Sequence, residues 1–380
     1  MRVRRLRIKN FLSTRDVDLE LGKLSVFVGP NSSGKSNIVR ALQLLTNYAR
    51  LGNPVLPGYR DFRSLVHGFD MTKQVELEIE AEISSRSVKY SLILTLDNYV
   101  EKAWINGKEA LSSEGRKPEA SVLTRNGIVK LFNKPYTPTL DPTRQQSLIQ
   151  CDYKTALIYL PSEAAEEIHQ LAELLKGFAI HSFDPRYIRS ASRVADPPLL
   201  GYEGSGLARV LLHFYLENRR AFARIEDVLR SLIPEVEEVI PHIERENVEL
   251  WLRVKDLREP LKPANISDGT LRILAYITVL HSDVSLAAFE EPENFVHPHL
   301  LETLVDLARK APCQVLITTH SPYLLDHVKP EEVYVVEKPG VETIAKKLSK
   351  TKEVEAVKKL LEEGGTLGEA WYSGIIGGVP

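Results

Sequence analysis

The chain has 380 residues, a formal net charge of −2 and two cysteines, Cys151 and Cys313. Its length exceeds one minimal core and implies one large domain with insertions or two domains, and the near-neutral charge excludes a global basic footprint for nucleic acid. The cysteines lie far apart without C-x-x-C spacing, so neither a disulfide framework nor a zinc site is indicated and a reducing cytoplasm fits; no apolar run is long enough to span a bilayer.

Residues 1–8 alternate basic and apolar side chains and read as a strand, where a signal peptide would need a continuous apolar core. Residues 24–28 are short and apolar, as a buried strand should be. Residues 37–45 carry Ile38, Ala41, Leu42 and Leu45 at helical spacing. Residues 50–68, rich in Gly, Pro and Tyr, read as loop. From Gln74 the texture changes to period two, with Val75, Leu77, Ile79, Ala81 and Ile83 and then Val88, Tyr90, Leu92 and Leu94 alternating with polar residues. That predicts an antiparallel β layer to about Phe132. A proline-rich stretch at 134–142 marks a boundary.

Residues 161–178 read as helix and 184–206 as loop. The apolar stripe of 207–232 is helical in pattern, and Glu217-Asn218-Arg219 interrupts it at a point able to split it into two helices. Pro234 ends it, and 236–243 and 248–254 form a strand pair. The last third alternates helix (271–281), strand (284–289), helix (299–310), strand (314–318), helix (322–327) and strand (333–337), the pattern of a parallel sheet with crossover helices. A charged helix at 352–363 and a tail with Trp371 and Tyr372 follow. The expected division is an N-terminal lobe at 1–160, a helical insertion at 161–235, a C-terminal lobe at 236–345, and a terminal helix and tail at 346–380.

Between the strand at 24–28 and the helix that follows lies Gly29-Pro30-Asn31-Ser32-Ser33-Gly34-Lys35-Ser36, then Asn37. It fits the phosphate-binding pattern G-x-x-x-x-G-K-[ST] in the strand–loop–helix context that the motif requires. Glycines let successive N–H groups turn inward, and the helix N-terminus adds about half a positive charge, so the loop cradles a polyphosphate. Lys35 would reach the β- and γ-phosphates of ATP, and Ser36 would ligate Mg²⁺.

The strand at 284–289 ends in Glu290-Glu291-Pro292-Glu293, delivering carboxylates where a nucleotide enzyme places its metal and water groups. Glu290 would hold Mg²⁺ through water, and Glu291 would orient and deprotonate the attacking water. The strand at 314–318 leads into Thr319-His320-Ser321-Pro322, which places His320 to contact the γ-phosphate. Ser267-Asp268-Gly269-Thr270 opens another helix: Ser267 and Asp268 are good N-caps, and Ser267 with Gly269 makes an anion site. Being remote from the phosphate loop, that site would serve a nucleotide held by another subunit.

Together these residues, with His297-Pro298 and Arg7-Ile8-Lys9-Asn10-Phe11, resemble the ATP-binding-cassette ATPases of the SMC, RecF and OLD type, specifically the stand-alone AAA-type ATPases near the OLD group. The resemblance covers about 1–45 and 265–337; the middle matches only in layout. It implies an α/β P-loop NTPase fold of the ABC/SMC head type, a mixed sheet with an antiparallel β lobe and a helical insertion. Transporter ATPases carry Leu-Ser-Gly-Gly-Gln where this chain has Ser267-Asp268-Gly269, and the first acid is Glu290 where Asp is usual. No long coiled coil or zinc hook separates the halves. OLD nucleases add a C-terminal metal site, for which too little chain follows Glu337, so nuclease activity within this chain is not expected. Gln145, Gln146 and Gln150 are candidates for the γ-phosphate-sensing glutamine of relatives.

The leading expectation is a Mg-dependent ATP hydrolase acting as a head-to-tail homodimer that drives conformational change in DNA or in a separate effector protein, as in defence or repair modules, without a membrane. The alternative is an ATP-gated nucleic-acid clamp with incidental hydrolysis, its basic face drawn from Arg186, Arg189, Arg193, Arg219, Arg220 and Arg224. A transporter subunit is disfavoured by the signature and the insertion.

Overall fold

Two kinds of apolar pattern build two different sheets. In this computed structural model, which describes residues 1–132, 135 and 154–377, the chain begins with β1 (Arg2–Phe11), β2 (Thr14–Glu20), β3 (Leu24–Val28), α1 (Lys35–Leu51) and α2 (Phe62–Leu65). Six strands follow: β4 (Val75–Ile83), β5 (Arg86–Leu94), β6 (Tyr99–Ile105), β7 (Lys108–Glu114), β8 (Glu119–Thr124) and β9 (Gly127–Phe132). The middle holds α3 (Glu166–Lys176), β10 (Phe178–His181), α4 (Pro185–Ile188), β11 (Ser192–Arg193), α5 (Leu207–Glu217), α6 (Arg219–Leu232), β12 (Val236–Glu244) and β13 (Asn247–Val254). The last third comprises α7 (Asp268–Leu280), β14 (Leu286–Glu290), α8 (Leu301–Lys310), β15 (Gln314–Thr319), α9 (Pro322–Leu325), β16 (Val333–Glu337), β17 (Ile344–Lys347), α10 (Val354–Glu362) and α11 (Leu367–Tyr372).

The period-two strands form an eight-stranded antiparallel sheet in the order β2-β1-β4-β5-β6-β7-β8-β9. Its inner face buries Leu6, Ile8, Leu77 and Ile79. On its outer face the basic side chains of β1 lie between acidic neighbours: Arg7 pairs with Asp16 at 3.0 Å, Lys9 with Glu76 at 3.1 Å, and Arg5 with both Asp18 and Glu80. Opposite charges on neighbouring strands contribute roughly 0.2–1 kcal/mol per pair, while the buried apolar face fixes the register.

The continuous apolar strands form a six-stranded sheet ordered β10-β14-β15-β3-β16-β17, parallel except for the β16–β17 hairpin. Both faces are covered, as such strands require. Phe27, Ala288 and Leu316 face the core shared with α1, α3 and the antiparallel sheet. Val26, Val28, Ala287, Phe289 and Ile317 face a second core shared with α5, α6, α7, α8 and α11. The buried side-chain amide of Gln314 ties the two sheets together, accepting from Val3 N at 2.6 Å and donating to Val3 O and Gly22 O at 2.9 Å. A third sheet, β11-β13-β12, lies with the helical insertion. Among the described residues no helix is long and apolar enough to cross a membrane.

Most expected elements are present, and the differences have local causes. The helix at 207–232 does divide at Asn218, which leaves helical geometry at φ −141° and caps α6 by accepting from Ala221 N at 3.1 Å. The helix expected to reach residue 178 stops at Lys176: the next residues pair with β14 and become β10. Residues 50–68 are not all loop. The phosphate-loop helix runs on to Leu51, where Gly52 at φ +83° closes it, and Asp61 caps α2. The short strands β2, β11 and β17 were not separately expected.

Glu101 on β6 is fully buried inside the antiparallel lobe. It accepts from Tyr90 OH at 3.0 Å and Thr155 Oγ1 at 2.5 Å. Burial pushes its carboxyl up to about 7 against the opposing pull of those hydrogen bonds. In the folded chain Glu101 therefore keeps its proton to about pH 7, whereas the unfolded chain releases it near 4.5. Its contribution favours the fold most below that lower value, falls as pH rises between the two and is lost above the upper one, a swing of order 3 kcal/mol. Glu101→Gln should remove the swing. In denaturant titrations the variant should gain about that much on wild type between pH 4.5 and pH 8; a stability difference independent of pH would show that Glu101 titrates alike in both states.

Candidate functional site

The phosphate loop leaves the C-terminal end of β3, which β15 and β16 flank. A Cβ on Gly29 would lie 2.1 Å from Val336 O, so only glycine fits there. Gly34 sits at φ +100°, and its Cβ would lie 2.0 Å from Thr343 Oγ1. Gly34 is also the N-cap of α1 and supplies no side-chain acceptor, which leaves the first N–H groups of that helix open to an anion. Pro30 is half-buried, while Asn31 and Ser32 are exposed on the loop's outer side. Ser33 Oγ is buried with no partner. The Lys35 ammonium folds back over the loop and donates to Gly29 O at 2.8 Å and Pro30 O at 3.0 Å. Ser36 is half-buried on the first turn of α1. Asn37 is engaged with the scaffold: it donates to Ser13 Oγ at 2.6 Å and accepts from Arg40 at 3.2 Å.

Parallel pairing brings the acidic motif to the same level. Glu290 is the register partner of Thr318 on β15, and Glu291 N donates to Thr318 O at 2.9 Å. Glu291 adopts φ +46°, a left-handed conformation that a residue with a Cβ holds only when its surroundings impose it. Its Oε2 accepts from Asn294 Nδ2 at 2.9 Å. Its Oε1 lies 3.2 Å from His320 Nδ1, within ion-pair range but out of line for a hydrogen bond. Glu290 Oε1 accepts from Tyr202 OH at 2.6 Å. Glu293 is buried; it accepts from Thr319 Oγ1 through Oε1, while its Oε2 has no partner. Burial pushes its carboxyl up to about 7. Burial lowers the pKa of Lys35, and Glu291, Glu293 and Glu290 oppose that shift in this order.

Lys35, Glu290, Glu291 and His320 thus gather at the C-terminal ends of β14, β15 and β3. Ser267 and Gly269 lie at the start of a different element, α7. Ser267 is exposed and caps α7 by accepting from Thr270 N at 3.1 Å, while Asp268 is held by Arg189. Gly269 packs against the loop after β14, where a Cβ would lie 2.6 Å from Phe295 O. Gln145, Gln146 and Gln150 lie outside the described residues.

Residues 24–326 match a family model described as "AAA domain, putative AbiEii toxin, Type IV TA system". The chain belongs to this AAA family. An OLD nuclease of Thermus scotoductus is 24% identical over 352 residues, covering 88% of this chain and 62% of the relative, so the chain spans under two thirds of that protein's length. Among solved structures, an SMC head bound to the C-terminal winged-helix domain of ScpA matches with a TM-score of 0.58 at 15% identity, covering 93% of this chain and all of the other. The SMC head of Pyrococcus furiosus, with an extended coiled coil and bound to the C-terminal domain of ScpA, matches with a TM-score of 0.55 at 13% identity, covering 95% and 99%. The fold is that of a P-loop ABC/SMC head, and the family is of the ABC/SMC/OLD-like kind.

The site fits the groups that such a family implies. Open helix N–H groups, the unpartnered Ser33 hydroxyl and the Lys35 ammonium suit a nucleotide's phosphates. A hydroxyl at Ser36 and a carboxylate at Glu290 are the hard oxygen donors that Mg²⁺ prefers. Sequence reasoning missed the residues that brace the loop. Thr343 Oγ1 donates to Ser33 O at 2.9 Å and lies 2.6 Å from Ser13 Oγ, and Thr343 N donates to Ser13 O at 2.8 Å. No motif marks Ser13, Thr343, Tyr202 or Asn294, because each acts through a contact distant in sequence or formed by an irregular turn.

Gly34→Ala should abolish binding of a fluorescent ATP analogue. Adding Thr343→Ala should not restore it, because the Cβ at position 343 would still lie 2.9 Å from the new methyl and φ would remain +100°. Recovery in the double variant would show that the threonine side chain alone sets the glycine requirement.

Proposed function

We propose that the chain is a Mg²⁺-dependent ATP hydrolase that works as an ATP-gated head-to-tail homodimer and passes a conformational change to DNA or to a separate effector protein. The observation that carries this reading is the meeting of Lys35, Glu290, Glu291 and His320 at the mouth of the glycine loop, in a chain of the AAA family. Lys35 would leave its two carbonyl contacts for the β- and γ-phosphates. Ser36 and Glu290 would hold Mg²⁺, which when bound neutralises charge on the phosphate oxygens. Glu291, steadied by Asn294, would take a proton from water as the water oxygen attacks the γ-phosphorus and the bond to the β-phosphate oxygen breaks. His320 would face the γ-phosphate from the neighbouring strand end.

The second half of each site is proposed to come from another copy of the chain. Ser267 is exposed, and the hydrogen bonds of Ser267 and Asp268 go to Thr270 and Arg189, not to residues 29–36. Two-fold pairing would set Ser267 and Gly269 of each chain against the nucleotide of the other and create two composite sites. A separate protein effector accords with the SMC heads seen bound to ScpA domains. The clamp alternative has weaker support: Arg186, Arg189 and Arg193 are each paired with a carboxylate.

Glu291→Gln should keep ATP bound, slow turnover by roughly 10²–10⁴-fold and accumulate a dimer visible by light scattering, while Lys35→Ala should lose tight nucleotide binding. Slow turnover in Glu290→Gln with normal turnover in Glu291→Gln would reverse the two roles. A rate per chain independent of concentration, with Glu291→Gln monomeric in ATP, would refute the shared site.

A further inference from the structure

Glu290 occupies a position where aspartate is usual, and the extra methylene gives its carboxylate an additional torsion to be fixed. The structure fixes it from outside the motif. Tyr202 OH donates to Glu290 Oε1 at 2.6 Å, and it comes from the loop between β11 and α5, 88 residues away in sequence. That loop is itself immobilised against the strand next to Glu290's own. Tyr202 O accepts from Ser182 N at 2.9 Å, Asp184 N donates to Glu203 O at 2.9 Å, and His181 Nδ1 lies 3.0 Å from Gly201 O. Within the loop Gly201 N donates to Ser205 O at 2.8 Å and Gly204 N to Gly201 O at 3.0 Å. Gly204 at φ +95° and Gly206 at φ +86° allow a turn this tight. β10 pairs in parallel with β14, His181 opposite Phe289, so the loop and the carboxylate are referenced to one sheet.

We propose that Tyr202 is a positioning residue: by anchoring one oxygen of Glu290 it sets the place of the other and so raises the affinity of the site for its divalent cation. The assignment rests on the ATPase reading above. Groups that orient a metal ligand through a hydrogen bond are commonly worth 10–100-fold in metal affinity. A glutamate free to turn would lose part of its binding free energy to ordering that torsion. The anchoring explains how a longer acid can serve at this position without loss of definition.

The test uses the full chain with a non-hydrolysable ATP analogue. Nucleotide affinity is measured with and without Mg²⁺, and Mn²⁺ affinity by electron paramagnetic resonance. Tyr202→Phe removes only the hydroxyl. It should leave metal-free nucleotide affinity within about twofold of wild type and weaken Mn²⁺ binding about tenfold, the low end of such effects. In a Glu290→Asp background, whose arm lacks the extra torsion, Tyr202→Phe should cost nothing further. Unchanged Mn²⁺ affinity in Tyr202→Phe, an equal loss in the Glu290→Asp background, an equal loss of metal-free nucleotide binding, or failure of Tyr202→Phe to fold would each overturn the assignment while leaving the ATPase reading standing. Wild-type protein whose nucleotide affinity is indifferent to Mg²⁺ would overturn both.

Discussion

The site depends on where three parallel strands stop. β14, β15 and β3 pair so that Glu290 lies opposite Thr318 and Thr319 opposite Val28. The acidic turn, the His320 turn and the glycine loop therefore leave the sheet side by side. Side chains alternate between faces along each strand, so a slip of one residue would exchange Val26 and Val28 with Phe27 between two cores that are both filled. The geometry of the candidate site inherits the precision of apolar packing on both faces of the sheet. The left-handed turn at Glu291 then aims a carboxylate at the neighbouring strand end instead of along its own axis.

The electrostatics follow from this crowding. Glu290, Glu291 and Glu293 act on the one ammonium of Lys35, which burial otherwise weakens. Glu293 relieves part of the repulsion by holding its proton to about pH 7. A pocket of carboxylates around a half-desolvated lysine favours added positive charge, and a metal–polyphosphate complex brings cation and anion together. The loop is meanwhile braced from behind: Thr343 donates to the Ser33 carbonyl, and Ser13 ties Thr343 to Asn37 without occupying the loop's inward N–H groups.

What could be read from the sequence was what lies contiguous in it. The glycine loop, the acidic strand end and the Thr-His-Ser-Pro turn each announce themselves within eight residues, and the period-two run from Gln74 marked the antiparallel layer. Thr343 touches Ser33 across 310 residues, and Tyr202 touches Glu290 across 88, so no local pattern could reveal either. β10 was hidden for another reason. Phe178-Ala179-Ile180 resumes the apolar content of α3 after only Lys176-Gly177, and pairing with β14 makes it strand. The division at Asn218 was legible because the polar interruption and the cap are the same residues.

The position of β3 also bears on how the molecule is made. The strand that carries the phosphate loop is laid down among the first thirty residues, yet its neighbours are β15 and β16. Gln314 and Val3 are 311 residues apart. A ribosome must therefore deliver β15 or β16 before β3 has a partner, while β1, β2 and β4 to β9 can close among themselves long before. Contacts of such long range are slow to form. The glycine loop therefore gains the strands that flank its base only as the last strands of the parallel sheet arrive.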